Sequence, residues 1–400
     1  MRNRTRVAAL ALITVVGLTG VGCGSTDSST QSSTTDETTP EGYIEGAEEK
    51  PEAQISLAYT ETGGRQLRLL NIETEETATI ELTAVAQRLF EDGRFVYASS
   101  GNALEVVDSG GWTVDHTDHV HYYRAPSKSL GAVPTPASIT MVAGSGTLTA
   151  IGTQGGKVVV VDRKALESGE LEQLETLSTN SSSGFAVPYH DGLVVAQGSD
   201  PQKPATELVY SDARGTSLGT EQPCQDPQGY AILRNVVVVS CVEGIAMFTK
   251  SGSTVSSRLL PYGSRGPRAA EITFRPRSNY AAAPTAGGVW TVNSSARTLD
   301  WTASPEPMIT AVTPGKDNAM LVLTTSGTLR SVIIGTVRLV ATADQPGVTE
   351  ASELTVDSSR AYLSAPATKQ IYEIDYTDAL RRARTFTTEG SPGLMVEVGR

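Results

Sequence analysis

From about residue 53 to residue 400 the chain alternates short apolar runs with clusters of Gly, Asp, Asn and Ser, and no long stretch carries a convincing 3.6-residue period. One unit recurs: a short apolar strand, a polar turn containing Gly, and a second apolar strand often closed by Asp or Asn. The first four instances are SLAYTETGGRQLRLLN at Ser56, RFVYASSGNALEVVD at Arg94, TLTAIGTQGGKVVVVD at Thr147 and GLVVAQGSDPQKPATELVYSD at Gly192. NVVVVSCVEGIAMFTKSG follows at Asn235, NYAAAPTAGGVWTVN at Asn279, AMLVLTTSGTLRSVI at Ala319 and RAYLSAPATKQIYEID at Arg360. These starts lie about 40 to 53 residues apart, which is the spacing of propeller blades.

Each unit reads as the middle hairpin of a four-stranded blade. The preceding stretch supplies the innermost strand and the following stretch the outermost. Residues 393–398 form one more short strand, placed to complete the first blade and so protect the edges of the ring. The pattern therefore predicts an all-β fold, a β-propeller of eight blades closed by a C-terminal strand, over residues 53–400. Seven blades is the alternative count, because the first unit and the tail are the hardest to assign. Two packed β-sandwiches fit the regular period less well. Short helical pieces are expected at 163–177 and 378–384.

The N-terminal region follows other rules. Arg2, Arg4 and Arg6 precede an apolar run from Val7 to Leu18, the order of an export signal and too short to span a bilayer comfortably. The run ends in small residues before Cys23, which resembles a bacterial lipoprotein signal. That resemblance implies cleavage before Cys23, its lipidation and anchoring to the cell membrane, although Gly20 stands where the class usually has Leu. Cleavage with release is the alternative. Residues 1–22 are thus read as the export signal. Residues 23–52 are read as the lipidated cysteine followed by a disordered Ser/Thr-rich acidic tether, with too few large apolar residues to fold.

Charge changes the picture only slightly. The net charge is −12, and the tether carries eight acids and one lysine of it. The remainder is mildly acidic, which argues against nucleic acid, a ligand that needs a basic face. Two cysteines remain beyond Cys23. Cys224 and Cys241 flank two apolar runs with a turn at Arg234-Asn235, so a hairpin would bring them together as a disulfide.

The chain has four histidines, and three of them fall in Asp115-His116-Thr117-Asp118-His119-Val120-His121. Imidazole is the commonest protein ligand for zinc and related ions, and carboxylates either join it or orient it. On an extended strand His119 and His121 share a face. His116 is out of phase with them and needs a bend between Asp115 and Asp118. One of Asp115 and Asp118 is expected as a direct ligand. His190, in Pro188-Tyr189-His190-Asp191-Gly192, reads as a turn residue that could reach the cluster from a neighbouring blade. In Tyr122-Tyr123-Arg124 one tyrosine is expected to pack between strands.

At these residues the chain resembles the secreted β-propeller zinc metallochaperones that serve bacterial zinc ABC importers. The resemblance runs from Phe95-Val96-Tyr97 through Val106-Val107-Asp108-Ser109-Gly110 and Trp112 to Ala125, and is strongest in the run D-H-x-D-H-x-H-Y-Y-R-A. Cys224 and Cys241 look like the family's half-cystines. Two positions depart from the family. Ser183 and Gln228 stand where it tends to carry histidines, and neither side chain is a good zinc ligand. The resemblance implies zinc as cargo and, as partner, the solute-binding protein of a zinc ABC importer.

No G-x-S-x-G elbow, P-loop or dinucleotide fingerprint appears, and Gly155-Gly156 and Gly287-Gly288 are turn glycines. The expectation is a binding protein rather than an enzyme: a monomeric, extracytoplasmic, membrane-anchored propeller. It would hold zinc through His116, His119, His121 and a nearby carboxylate, with binding that weakens below about pH 6 because a ligating imidazole must be neutral. The competing expectation is a metal-free surface propeller that binds a protein or glycan.

Overall fold

The computed structural model describes residues 44–116, 119–316 and 318–400. The expected export signal, Cys23, most of the tether and Asp118 lie outside the described residues. Among those described, the chain forms eight four-stranded antiparallel sheets and one sheet of three strands. The all-β propeller is the fold. Each of the eight units supplies the two middle strands of one sheet, from Ser56–Glu61 with Gln66–Asn71 in blade 1 to Ala361–Ala365 with Gln370–Asp375 in blade 8. Closure occurs where expected: Pro392–Val398 pairs antiparallel with Ser56–Glu61 as the innermost strand of blade 1.

The eight innermost strands contact one another in sequence, and the last of them, Leu354–Val356, meets Pro392–Val398 to complete the circle. Between each pair of neighbouring blades lies one apolar cluster. The middle strands are therefore buried on both faces, which explains their continuous apolar runs. In Lys157–Asp162, Val159 and Val161 pack toward blade 2, while Val158 and Val160 pack toward blade 4. Each valine in that run serves one of two interfaces.

Neither helical expectation holds over its length. Only Arg163–Glu167 is helical, started by the Asp162 side chain, which accepts hydrogen bonds from the backbone N–H groups of Lys164 and Ala165. Gly169, at φ +84°, leads the chain away, and Gln173–Ser178 is the outermost strand of blade 3. Residues 378–380 end a turn and 381–384 begin the outermost strand Arg381–Thr387 of blade 8. Outermost strands are solvated along much of their length, so their sequences lack the apolar runs that identify the middle ones. Among the described residues no helix is long and apolar enough to cross a membrane.

Cys224 and Cys241 form a disulfide, with Cα atoms 5.0 Å apart. The innermost strand Gln228–Leu233 turns at Arg234-Asn235 into Val236–Ser240 and pairs with it, so the two ends meet as the sequence implied. The bridge ties the end of blade 4 to the second strand of blade 5. Replacing both cysteines by serine is expected to lower stability by about 2–4 kcal/mol, as for other native disulfides closing short loops, and denaturant melts of the two proteins measure the difference.

Candidate metal centre

The third strand of blade 2 ends at Asp108, and the chain then leaves the ring. It forms a hairpin, Gly111–Asp115 paired with Val120–Arg124, before returning as the outermost strand Lys128–Pro134. Gly110 makes the exit possible: it has φ +78°, and a side chain there would collide with the Ala125 carbonyl oxygen. The root of the hairpin is held by Arg94. Its guanidinium donates to both carboxylate oxygens of Asp108, at 3.2 and 2.8 Å, and lies 4.0 Å over the Trp112 ring. Trp112 in turn stacks on Tyr123 at 5.4 Å, and Tyr123 is the buried tyrosine of the expected pair.

This hairpin resolves the phase problem of the three histidines. Trp112 lies opposite Tyr123 and Val114 opposite His121, and the His116 backbone N–H donates to the His119 carbonyl at 2.9 Å. Opposed residues of an antiparallel pair share a face. Chain reversal therefore puts His116, His119 and His121 on one face, although the first two are three residues apart. The ring centroids are 5.1 Å apart for His116 and His119, 5.3 Å for His116 and His121, and 4.8 Å for His119 and His121. One ligand nitrogen from each lies within 4.8 Å of the other two. Nitrogens bound to one tetrahedral zinc at 2.0–2.1 Å sit about 3.4 Å apart. Binding thus requires the side chains to close by up to about 1.4 Å, a rotamer adjustment open to His116 and His119, which are exposed. Three imidazoles leave a fourth coordination position, the arrangement of an open zinc site rather than a closed structural one.

The other predicted site residues are placed differently. Asp115 is on the opposite face of the hairpin, where Arg277 of blade 6 donates to it at 3.4 Å. Blades 2 and 6 face each other across the ring, so the hairpin reaches over the axis. With Thr113, Asp115 lines an open cavity of about 1020 Å³ whose wall also includes His190, Tyr230, Arg277 and Arg400. His190 stands apart from the three imidazoles. It occupies a turn with φ +52° and packs against Tyr189 at 4.4 Å; burial and then Lys250 hold its imidazole below the usual histidine range. Ser183 and Gln228 lie at or before the starts of innermost strands, the end of the ring away from the hairpin. Gln228 donates to Asp226 at 3.0 Å, and Asp226 is paired with Arg268 at 2.7 Å.

One residue of the site was not foreseen. Glu48–Lys50, within the stretch read as disordered tether, forms an edge strand on Val120–Arg124, with Glu49 opposite Tyr123. Glu49 is therefore on the histidine face, and its carboxylate oxygen lies 2.6 Å from His121 Nδ1. Composition concealed it, because a three-residue strand of Glu-Glu-Lys carries no apolar signal. Residues 48–50 thus depart from the disorder expected for them, since backbone pairing to the hairpin supplies the order that their own side chains cannot.

No protein-family model matches the chain, and no curated protein matches its sequence. Solved structures do match its shape. Citrobacter koseri AztD is 18% identical, with a TM-score of 0.75, over 87% of this chain and 98% of that one. The apo form of AztD from the same organism is 17% identical, with a TM-score of 0.74 and the same coverage. The dihydro-heme d1 dehydrogenase NirN is 13% identical, with a TM-score of 0.57, over 86% of this chain and 75% of that one. At these identities the likeness is one of fold.

Proposed function

We propose that this protein is an extracytoplasmic zinc-binding propeller that delivers its ion to the solute-binding protein of a zinc ABC importer. The observation that carries the reading is the convergence of His116, His119 and His121 on one exposed face of a hairpin that projects from a rigid ring. The resemblance of that hairpin to the propeller zinc metallochaperones supports it, as does the fold shared with AztD. An exposed three-nitrogen site suits delivery. The fourth position admits a ligand from a partner before the donor's own ligands let go, so the ion need never be free. The role is binding, not catalysis. In this reading the chain is a monomer, held at the membrane through lipid on Cys23, with the tether giving the ring reach toward its partner.

Two measurements test the proposal. Calorimetric titration of the metal-free chain with zinc is expected to show one strong site. Zinc-loaded protein mixed with the metal-free solute-binding protein, in the presence of a competing chelator, is expected to transfer its ion to the partner faster than the chelator captures it. No heat on titration would leave a propeller without this function. Capture by the chelator at the rate of free zinc would remove the delivery step.

A further inference from the structure

The short strand Glu48–Lys50 does more than continue a sheet. It pairs Glu48 with Arg124, Glu49 with Tyr123 and Lys50 with Tyr122. This register turns Glu49 to the histidine face, while Glu48 and Lys50, ion-paired at 2.6 Å, occupy the other. A carboxylate only accepts hydrogen bonds. With Glu49 Oε1 2.6 Å from His121 Nδ1, that nitrogen is the donor, so in the neutral ring Nε2 is the nitrogen with the lone pair. A metal can then be met only by Nε2. The bond also fixes the rotation of the ring, which is the role an outer carboxylate plays behind a metal-binding histidine.

We infer that Glu49 is the positioning residue of the hairpin's metal site, and that docking of its strand and binding of zinc stabilise each other. The inference rests on the zinc-binding reading and adds to it the part played by the chain ahead of the ring. The strand is three residues long and lies at a sheet edge, so little besides these contacts holds it. When it leaves, His121 loses its orienting partner. Loss of such a partner typically weakens metal binding about 10–100-fold. Because linkage is reciprocal, a bound ion must favour the docked strand by the same factor. The junction between tether and ring is then a handle on the ion. Any process that draws residues 48–50 away from the hairpin loosens zinc.

The test uses the full chain, its Glu49→Ala variant and its Glu49→Gln variant, whose amide oxygen still accepts a hydrogen bond. Three quantities are read: zinc affinity by competition with a chromophoric chelator, the tautomer of His121 from imidazole 15N shifts in the metal-free protein, and amide exchange at residues 48–50 with and without zinc. The Glu49→Ala protein is expected to bind zinc about 10–100-fold more weakly and to lose the Nδ1–H preference at His121. Its exchange at 48–50 should respond less to zinc than the wild type's does. The Glu49→Gln protein is expected to retain the tautomer and most of the affinity. Wild-type affinity in Glu49→Ala would overturn the inference and leave the zinc site standing. Weaker binding with an unchanged His121 tautomer would also overturn it, by making Glu49 merely structural. Failure of the wild type to bind zinc would end both readings.

Discussion

Replacing His119 and His121 together by alanine is expected to abolish tight zinc binding while leaving the ring intact. Structural zinc sites release about 10–16 kcal/mol over four ligands. Sharing that evenly, two imidazoles account for at least about 5 kcal/mol, or more than a thousandfold in affinity. The single variant His116→Ala should lose about half that free energy, because it removes one donor of three. The fold should not register either change. The hairpin lies outside the eight apolar clusters, so the ring itself is expected to stay folded, and the loss is confined to the hairpin, where His121 gives up its bond to Glu49. Competition titrations with a chelator, run beside thermal melts of the same metal-free samples, separate the two effects. Equal affinity in wild type and the double variant would show that the imidazoles do not hold the ion.

What could be read from the sequence followed from where each segment sits. The middle strands were legible because both their faces are buried, as Val158 to Val161 show. Several innermost strands were not, although the closing strand at 393–398 was. Arg88–Glu91 and Thr273–Phe274 are short, half-exposed and partly polar, and their ordering comes from neighbours in the ring rather than from their own composition. The hairpin of residues 111–124 follows no repeat of the blade pattern. Its one local signal was Ser109-Gly110-Gly111, where the backbone approach leaves no room for a side chain: a Cβ at Gly111 would lie 2.8 Å from the Gln54 carbonyl oxygen. The three imidazoles were visible as a cluster, and strand periodicity put His116 out of phase unless the chain bends after Asp115; the reversal between His116 and His119 supplies that bend, though periodicity alone does not give its position. Of the two aspartates, one of which was expected as a ligand, Asp115 pairs with Arg277 on the other face, a contact spanning 162 positions that no local pattern encodes, and Asp118 lies outside the described residues.

Closure of the ring concentrates charge at one point, and there the second large effect is expected. Arg400 donates to Glu397 and to Glu91, each at 2.5 Å, and the backbone N–H groups of Gly399 and Arg400 both donate to the Gly93 carbonyl. Glu397 is a residue of the closing strand of blade 1 and Glu91 of the innermost strand of blade 2, so one guanidinium joins two blades. Burial pushes both carboxyls above the usual glutamate range, and Arg400 opposes that shift in each. Arg400→Met would leave the buried Glu397 and the largely buried Glu91 without the cation that bridges them, which is expected to cost about 3–5 kcal/mol of a total stability on the order of 5–15 kcal/mol. The sign of the pH dependence follows. A carboxyl whose folded pKa exceeds its unfolded one contributes stability that is complete below the unfolded value and is lost as pH rises through the folded value. Removing Arg400 raises both folded values further, so the variant's deficit should be small near pH 4 and grow toward pH 8. Adding Glu91→Gln and Glu397→Gln to Arg400→Met removes the charges that were stranded and should restore much of the loss at pH 8. Denaturant melts of the three proteins across that range decide it. A deficit independent of pH would mean that Arg400 holds the ring by packing alone.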